Sequence, residues 1–156
     1  MTRWLVLLCI AVLGASAHAN PELDERFRRD VLIVEASRWA CHRFDIYLAI
    51  TNAERSRGLM FVRELPATSG MLFVYPGDHV VSMWMKNTLI PLDMVFARPD
   101  GTVSSVIANT EPQSLRSLAS IEPVAFVLEL NAGTAARLAI DENSRIFWEA
   151  AHGNDG

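Results

Sequence analysis

From Val31 onward the chain is a series of short apolar segments, each five to eight residues long and separated by Pro, Gly, Asp and Asn. An amphipathic helix needs ten or more residues with a 3.6-residue period, so segments this short read as strands. Residues 31–35, 43–50, 71–75, 80–86, 92–97, 102–108, 124–130 and 145–149 qualify. The clearest hairpin joins 92–97 to 102–108 through Arg98-Pro99-Asp100-Gly101, where proline presets φ and glycine accepts a positive one. Pro76-Gly77-Asp78 predicts a second turn, between 71–75 and 80–86. Two short helices interrupt the strands. Thr51-Asn52-Ala53-Glu54 is a capping box that opens a helix ending near Gly58, and a second helix is expected from Ala132 to Ala139 with Asn131 as its N-cap. The expected fold is mainly β: an antiparallel sandwich of jelly-roll type, or a partly closed barrel, with two short helices.

The N-terminus obeys a different grammar. Arg3 precedes an unbroken apolar run, Trp4–Leu13, and Ala17-His18-Ala19 places small residues where a signal peptidase cleaves. Ten apolar residues are too few for the roughly 20 that span a bilayer as a helix. The reading is therefore a signal peptide over 1–19, cleaved after Ala19, and a periplasmic or secreted protein with no later membrane span. Residues 20–30 read as a linker or a short exposed helix, 31–149 as one β-rich domain and 150–156 as a tail. Cleavage leaves 13 basic against 18 acidic side chains, a formal charge of −5 without a basic run. Phosphate contacts need clustered Lys and Arg, so nucleic acid is excluded as a partner. Only Cys41 remains after cleavage, which rules out an internal disulfide and predicts a small buried hydrophobe.

Strand parity sorts the densest region into faces. Val81, Met83 and Met85 share one side of 80–86, Leu92, Met94 and Phe96 one side of 92–97, and Val124, Phe126, Leu128 and Leu130 one side of 124–130. These rows are the expected core. Opposite them stand Trp84, Lys86, Asp93 and Glu129, where any chemistry would sit. Lys86 is the only lysine in the chain.

TNAERSRGLMFVREL (51–65), GMLFVY (70–75), MWMKNTLIPLDMVF (83–96), DG (100–101) and VLELNAG (127–133) together resemble the domain of unknown function 192 family, through roughly residues 31–149. The resemblance implies a compact β-rich domain with short helices, and it brings no reaction with it. One departure is that Met83-Trp84-Met85 stands where the family commonly has Phe-Trp-Met.

Three functional readings follow. The first is binding of a small molecule, peptide or protein partner at a face built from Arg55, Trp84, Lys86, Asn87, Asp93 and Glu129, with Trp84 for stacking and Arg55 at the rim. In the competing structural account, Lys86 and Asp93 form a cross-strand ion pair and Glu54 only completes a helix cap. The second reading is an enzyme using Lys86 or a carboxylate as its catalytic group, Glu54 with Glu129 being a candidate acid–base pair. The third is Cu(I) binding through the thioethers of Met83 and Met85. Hydrolase elbows, zinc spacings and phosphate loops do not occur in the sequence, so no catalytic residue, metal ligand or cofactor is assigned.

Overall fold

The structure, a computed structural model, describes residues 20–36 and 40–149. The expected signal peptide, 1–19, and the expected tail, 150–156, lie outside the described residues.

A seven-stranded sheet dominates, in the order β6-β5-β8-β3-β2-β1-β9. Its strands are β1 (Arg28–Glu35), β2 (Cys41–Ala49), β3 (Ser69–His79), β5 (Leu92–Ala97), β6 (Val103–Ile107), β8 (Val124–Asn131) and β9 (Arg145–Phe147). A separate ribbon pairs β4 (Ser82–Met83) with β7 (Leu118–Ala119). The sheet curls until its last strand meets the β5–β6 hairpin. Ile146 N donates to Gly101 O at 2.8 Å, Val103 N donates to Ser144 O at 3.0 Å, and Thr102 bridges Arg145. The result is a nearly closed barrel, as the sequence reading allowed.

Pairing is antiparallel throughout the large sheet except between β2 and β3, which run parallel. A parallel pair requires a crossover. Here it is supplied by α2 (Asn52–Arg57) and the chain that follows it, which a purely antiparallel sandwich does not accommodate.

Two apolar clusters occupy opposite faces of the sheet. Leu32, Phe44, Leu72, Val95, Val103, Leu128 and Ile146 come from all seven strands and fill the barrel interior. Ala135 of α3 (Thr134–Leu138) and Ile140 join them. The second cluster lies outside the barrel, where Tyr47, Met71, Phe73, Met94, Phe96 and Val127 are covered by Leu23, Phe27, Leu59, Val81, Met83 and Met85. Every residue of β5 is buried as a consequence.

Of the two alternatives expected for residues 20–30, a linker or a short exposed helix, the structure has the helix, with Leu23 its one buried residue. Asn20 caps α1 (Pro21–Arg26), with its Oδ1 accepting from Leu23 N, and Pro21 takes the first helical position where its missing N–H costs nothing. Leu23 and Phe27 then bury in the outer cluster, and β1 begins at Arg28, three residues earlier than the apolar pattern suggests. There are thus three short helices among the described residues.

Pro76-Gly77-Asp78 is not a hairpin turn either. It lies within β3, where the pairing with β8 slips between Val74 and His79 and Gly77 holds φ at +76°. A bulge with glycine at the left-handed position mimics a turn in sequence. Residues 80–86 consequently pair with β7 rather than with 71–75. Their alternation survives: Val81, Met83 and Met85 are buried, while Val80, Ser82, Trp84 and Lys86 are exposed. Cys41, expected to be buried, is exposed at the start of β2.

The Pro99-Asp100-Gly101 hairpin is as predicted. Asp100 Oδ1 accepts from Thr102 N at 2.9 Å and from Thr102 Oγ1 at 2.7 Å, and those two bonds hold its carboxyl below the ordinary range. Gly101 has φ +84°, and a Cβ there would lie 2.1 Å from Ile146 O. Backbone conformation and barrel closure both demand glycine. Gly101→Ala should therefore cost at least about 3 kcal/mol in urea unfolding. A loss below ~1 kcal/mol would mean that β9 does not close onto the hairpin.

Candidate functional site

A cavity of about 360 Å³ opens on the outer face of the barrel, between α2, β3, β8 and the segment around β4. Its wall begins with the capping box. Glu54 N donates to Thr51 Oγ1 at 3.2 Å, while Glu54 Oε2 accepts from Thr51 N at 2.7 Å and Ile50 N at 2.9 Å. These bonds, led by the one from Thr51, hold the Glu54 carboxyl below its usual range. Glu54 is thus a helix cap and does not line the cavity, which removes it from the proposed pairing with Glu129.

The next residue, Arg55, reaches the cavity, and its guanidinium already makes three hydrogen bonds. It donates to Val74 O at 2.8 Å, to Ile50 O and to Asn52 Oδ1, and lies 5.2 Å from the Tyr75 ring centroid. Gly58 ends the helix at φ +46°, and a Cβ there would approach Phe73 Cζ to 3.0 Å. The absent side chain lets the chain turn tightly over the cavity wall.

Phe73 and Tyr75 extend the outer row of β3 into the cavity, and Met83 and Trp84 face them. Tyr75 donates its hydroxyl to Met83 Sδ at 3.3 Å. Burial, then the charge of Glu129, push its pKa up to about 12, with Arg55 opposing. Glu129 completes the lining from β8. It is 4% exposed, and among the described residues its carboxyl has neither a hydrogen-bond nor an ion-pair partner. Burial alone pushes its pKa up to about 8, so at neutral pH the group is mostly protonated.

The sequence-predicted set therefore divides. Arg55, Trp84 and Glu129 meet at the cavity, whereas Lys86, Asn87 and Asp93 do not line it. Lys86 is exposed with Nζ 5.0 Å from the Trp84 ring centroid, and forms no ion pair with Asp93. Asn87 adopts φ +56°; its carbonyl accepts from Phe61 N at 2.8 Å and its amide lies 3.8 Å from Met60 Sδ. It is a joint between two loops, one of which carries Met60 into the lining.

Asp93 lies on the opposite face of the sheet from Glu129. In the β5–β8 register Met94 opposes Glu129 and Asp93 opposes Leu130, so the two carboxylates sit on adjacent, oppositely directed rungs. The expectation that they share a face fails because both faces are core. Asp93 Oδ2 accepts from Ala135 N at 2.8 Å and Oδ1 from Asn109 N at 2.9 Å. It caps α3 from a neighbouring strand. The sequence had assigned a cap to Asn131, whose amide instead donates to Leu65 O at 2.8 Å. Phe73, Tyr75 and Thr88 are lining residues that the reading missed, and the parity of β3 was the signal that could have found the first two.

A sequence model for DUF192, described as an uncharacterized ACR, matches residues 33–148. The chain belongs to the DUF192 family. Two crystal structures resemble this DUF192 domain closely. One, from Sinorhizobium meliloti 1021 and described as a candidate transcription regulator, is 38% identical, covers 78% of this chain and 94% of its own, and superposes with a TM-score of 0.76. The other, a protein of unknown function from Novosphingobium aromaticivorans DSM 12444, is 34% identical, covers 86% and 94%, and has a TM-score of 0.78. No curated protein matches the chain.

The two carboxylates generate opposite predictions. Asp93→Ala strands the buried Ala135 N–H and the part-buried Asn109 N–H and removes a cap, which should cost about 3 kcal/mol, where an exposed ion pair would cost under ~1 kcal/mol. Glu129 keeps in the folded state a proton that the unfolded chain releases between its ordinary value of 4.5 and about 8. Its stabilising contribution is full below the lower value and is lost as pH rises to the upper one. Glu129→Gln, which mimics the protonated acid, should match wild type in urea unfolding at low pH and exceed it by roughly 4 kcal/mol near pH 8. A difference that does not change with pH would place the carboxyl in a solvated setting.

Proposed function

We propose that this DUF192 domain is an exported binding protein that holds a small organic molecule in the cavity over Glu129. The observation that carries the reading is the unpaired carboxyl. The fully enclosed side-chain atoms without a partner, among the described residues, are His42 Nε2, Ser104 Oγ and Ser105 Oγ, so the Glu129 oxygens are not sealed in but open to the cavity, where a ligand's donor can reach them. Glu129 opens into a cavity of the size that small ligands occupy, beside aromatic surface from Phe73, Tyr75 and Trp84. Half-exposed Trp84 has no evident packing duty that would explain an indole at that position. Export rests on the N-terminal pattern of Arg3, the apolar run Trp4–Leu13 and Ala17-His18-Ala19.

The raised pKa of Glu129 supports a second reading, in which the same carboxyl acts as a general acid or base on its ligand near neutral pH. Lys86 has no comparable support as a catalytic amine, because it stands on the solvent side beside Trp84. The Cu(I) reading also loses ground. Met83 lines the cavity, but the Met85 sulfur is fully buried and accepts from Thr110 Oγ1 at 3.2 Å. The description given to the Sinorhizobium structure finds no counterpart here: helices of five or six residues and a net charge of −4 do not suit a DNA groove.

Native mass spectrometry of the full-length chain, expressed with its own N-terminus and recovered from the exported fraction, tests the proposal. Wild type should begin at Asn20 and carry an organic adduct. Trp84→Ala should lose the adduct while its stability stays within about 1 kcal/mol of wild type. Bare protein in both cases would overturn the binding reading, and an uncleaved N-terminus the export reading.

A further inference from the structure

Glu129 differs from every other carboxylate in the cavity region. Glu54 is bound by two backbone N–H groups, and Glu22 pairs with Arg57 at 2.6 Å. Glu129 has no such partner among the described residues. The cations nearest the cavity are already committed. Arg55 donates to two backbone carbonyls and Asn52, and Arg57 is held by Glu22 and lies 4.8 Å from the Phe61 ring centroid. The strands beside Glu129 present Met71 and Met94 to it in register, neither of which carries charge. On β3 the one titratable neighbour is Tyr75, whose hydroxyl is spent on Met83 Sδ.

The cavity thus offers one carboxyl without a hydrogen-bond or ion-pair partner among the described residues, protonated in the free protein at neutral pH, in a lining that also includes Arg55, bonded to neutral acceptors, and Arg57, paired with Glu22. Around it are the π faces of aromatic rings and the polarisable thioethers of Met60 and Met83. Ring faces and thioethers interact favourably with cations and give an anion nothing. A neutral acceptor would engage one oxygen of the protonated acid and leave the other unmatched. A primary ammonium gives several donors and the missing charge together.

Building on the cavity-binding reading above, we propose that the ligand is a primary amine bound as its ammonium, with the charge on the Glu129 carboxylate and an apolar or aromatic body against Trp84, Tyr75 and Phe73. Seating it requires Glu129 to lose its proton, so binding the ammonium releases one proton to solvent wherever the free protein holds the acid protonated. Because burial places that proton near pH 8, affinity rises with pH through the neutral range and levels off above it, until the amine itself deprotonates.

Three probes of one shape separate the possibilities: benzylamine, benzyl alcohol and benzoate, titrated into full-length protein by calorimetry and by indole fluorescence. Benzylamine should bind at least about tenfold more tightly than benzyl alcohol at pH 8, and its affinity should rise about tenfold per pH unit from pH 6 toward pH 8. Glu129→Gln, which keeps the shape of the protonated acid, should abolish both the preference and the pH slope. The slope on wild type is itself decisive if that variant does not fold. Benzyl alcohol or benzoate binding as tightly as the amine would overturn the ammonium assignment and leave the cavity-binding reading standing. None of the three binding at about 10 mM would overturn both.

Discussion

Burial of both faces of the central strands is the constraint on which the rest of this structure depends. β5, β8 and β3 have the barrel interior on one side and, on the other, a layer built from α1, the chain after α2, and residues 81–85. A polar side chain on the doubly covered stretch of these strands is therefore largely taken from water and needs a partner inside the protein. Asp93 and Glu129 are the two carboxylates caught in this way, on neighbouring rungs of the same ladder and directed to opposite sides. Their fates differ because their surroundings differ. At the α3 end of the barrel, two free backbone N–H groups come within reach of Asp93. On the outer face Glu129 meets methionines, aromatic rings and a cavity.

That contrast separates structure from function without appeal to position in the sequence. A carboxylate that accepts two backbone N–H bonds and caps a helix is fully used by the fold. One held protonated by burial is an acid to which the fold gives no partner among the described residues, and it lines a cavity. The arginines obey the same division. Arg55 makes three of its hydrogen bonds to the carbonyls of Ile50 and Val74 and to Asn52, which fix its guanidinium in the cavity wall. The methionines of the outer cluster fill irregular space beneath α2, and several sulfurs accept hydrogen bonds from Tyr75, Thr110 and Asn87. Such bonds fix thioether orientation in a region that packing alone would leave loosely specified.

Closure of the barrel relies on a similarly local device. A glycine at the tip of the β5–β6 hairpin allows the backbone of β9 to approach within hydrogen-bonding distance. The parallel β2–β3 pair is the counterpart on the other side of the sheet. The crossover it requires is the segment that carries α2 and Gly58 over the outer face, so the connection that completes the sheet also builds the cavity wall.

Features governed by residues three or four apart were legible in the sequence. The Thr51–Glu54 box, the helix stop at Gly58, the Asp100–Gly101 hairpin and the in–out alternation of 80–86 all arise from contacts within a single turn or strand, and each stands in the structure as the chain predicts. Arg55, Trp84 and Glu129, singled out as polar and aromatic side chains beside apolar rows, come together in the lining of one cavity. Tertiary structure alone decided that Asp93 points away from that site, that residues 20–30 pack against the sheet, and that Pro76-Gly77-Asp78 is a bulge inside a strand. These outcomes hinge on partners distant in sequence, such as Ala135 for Asp93, 42 residues away. Period-two alternation separates one face of a strand from the other; whether the second face meets water or a second core is set by the layer that folds over it.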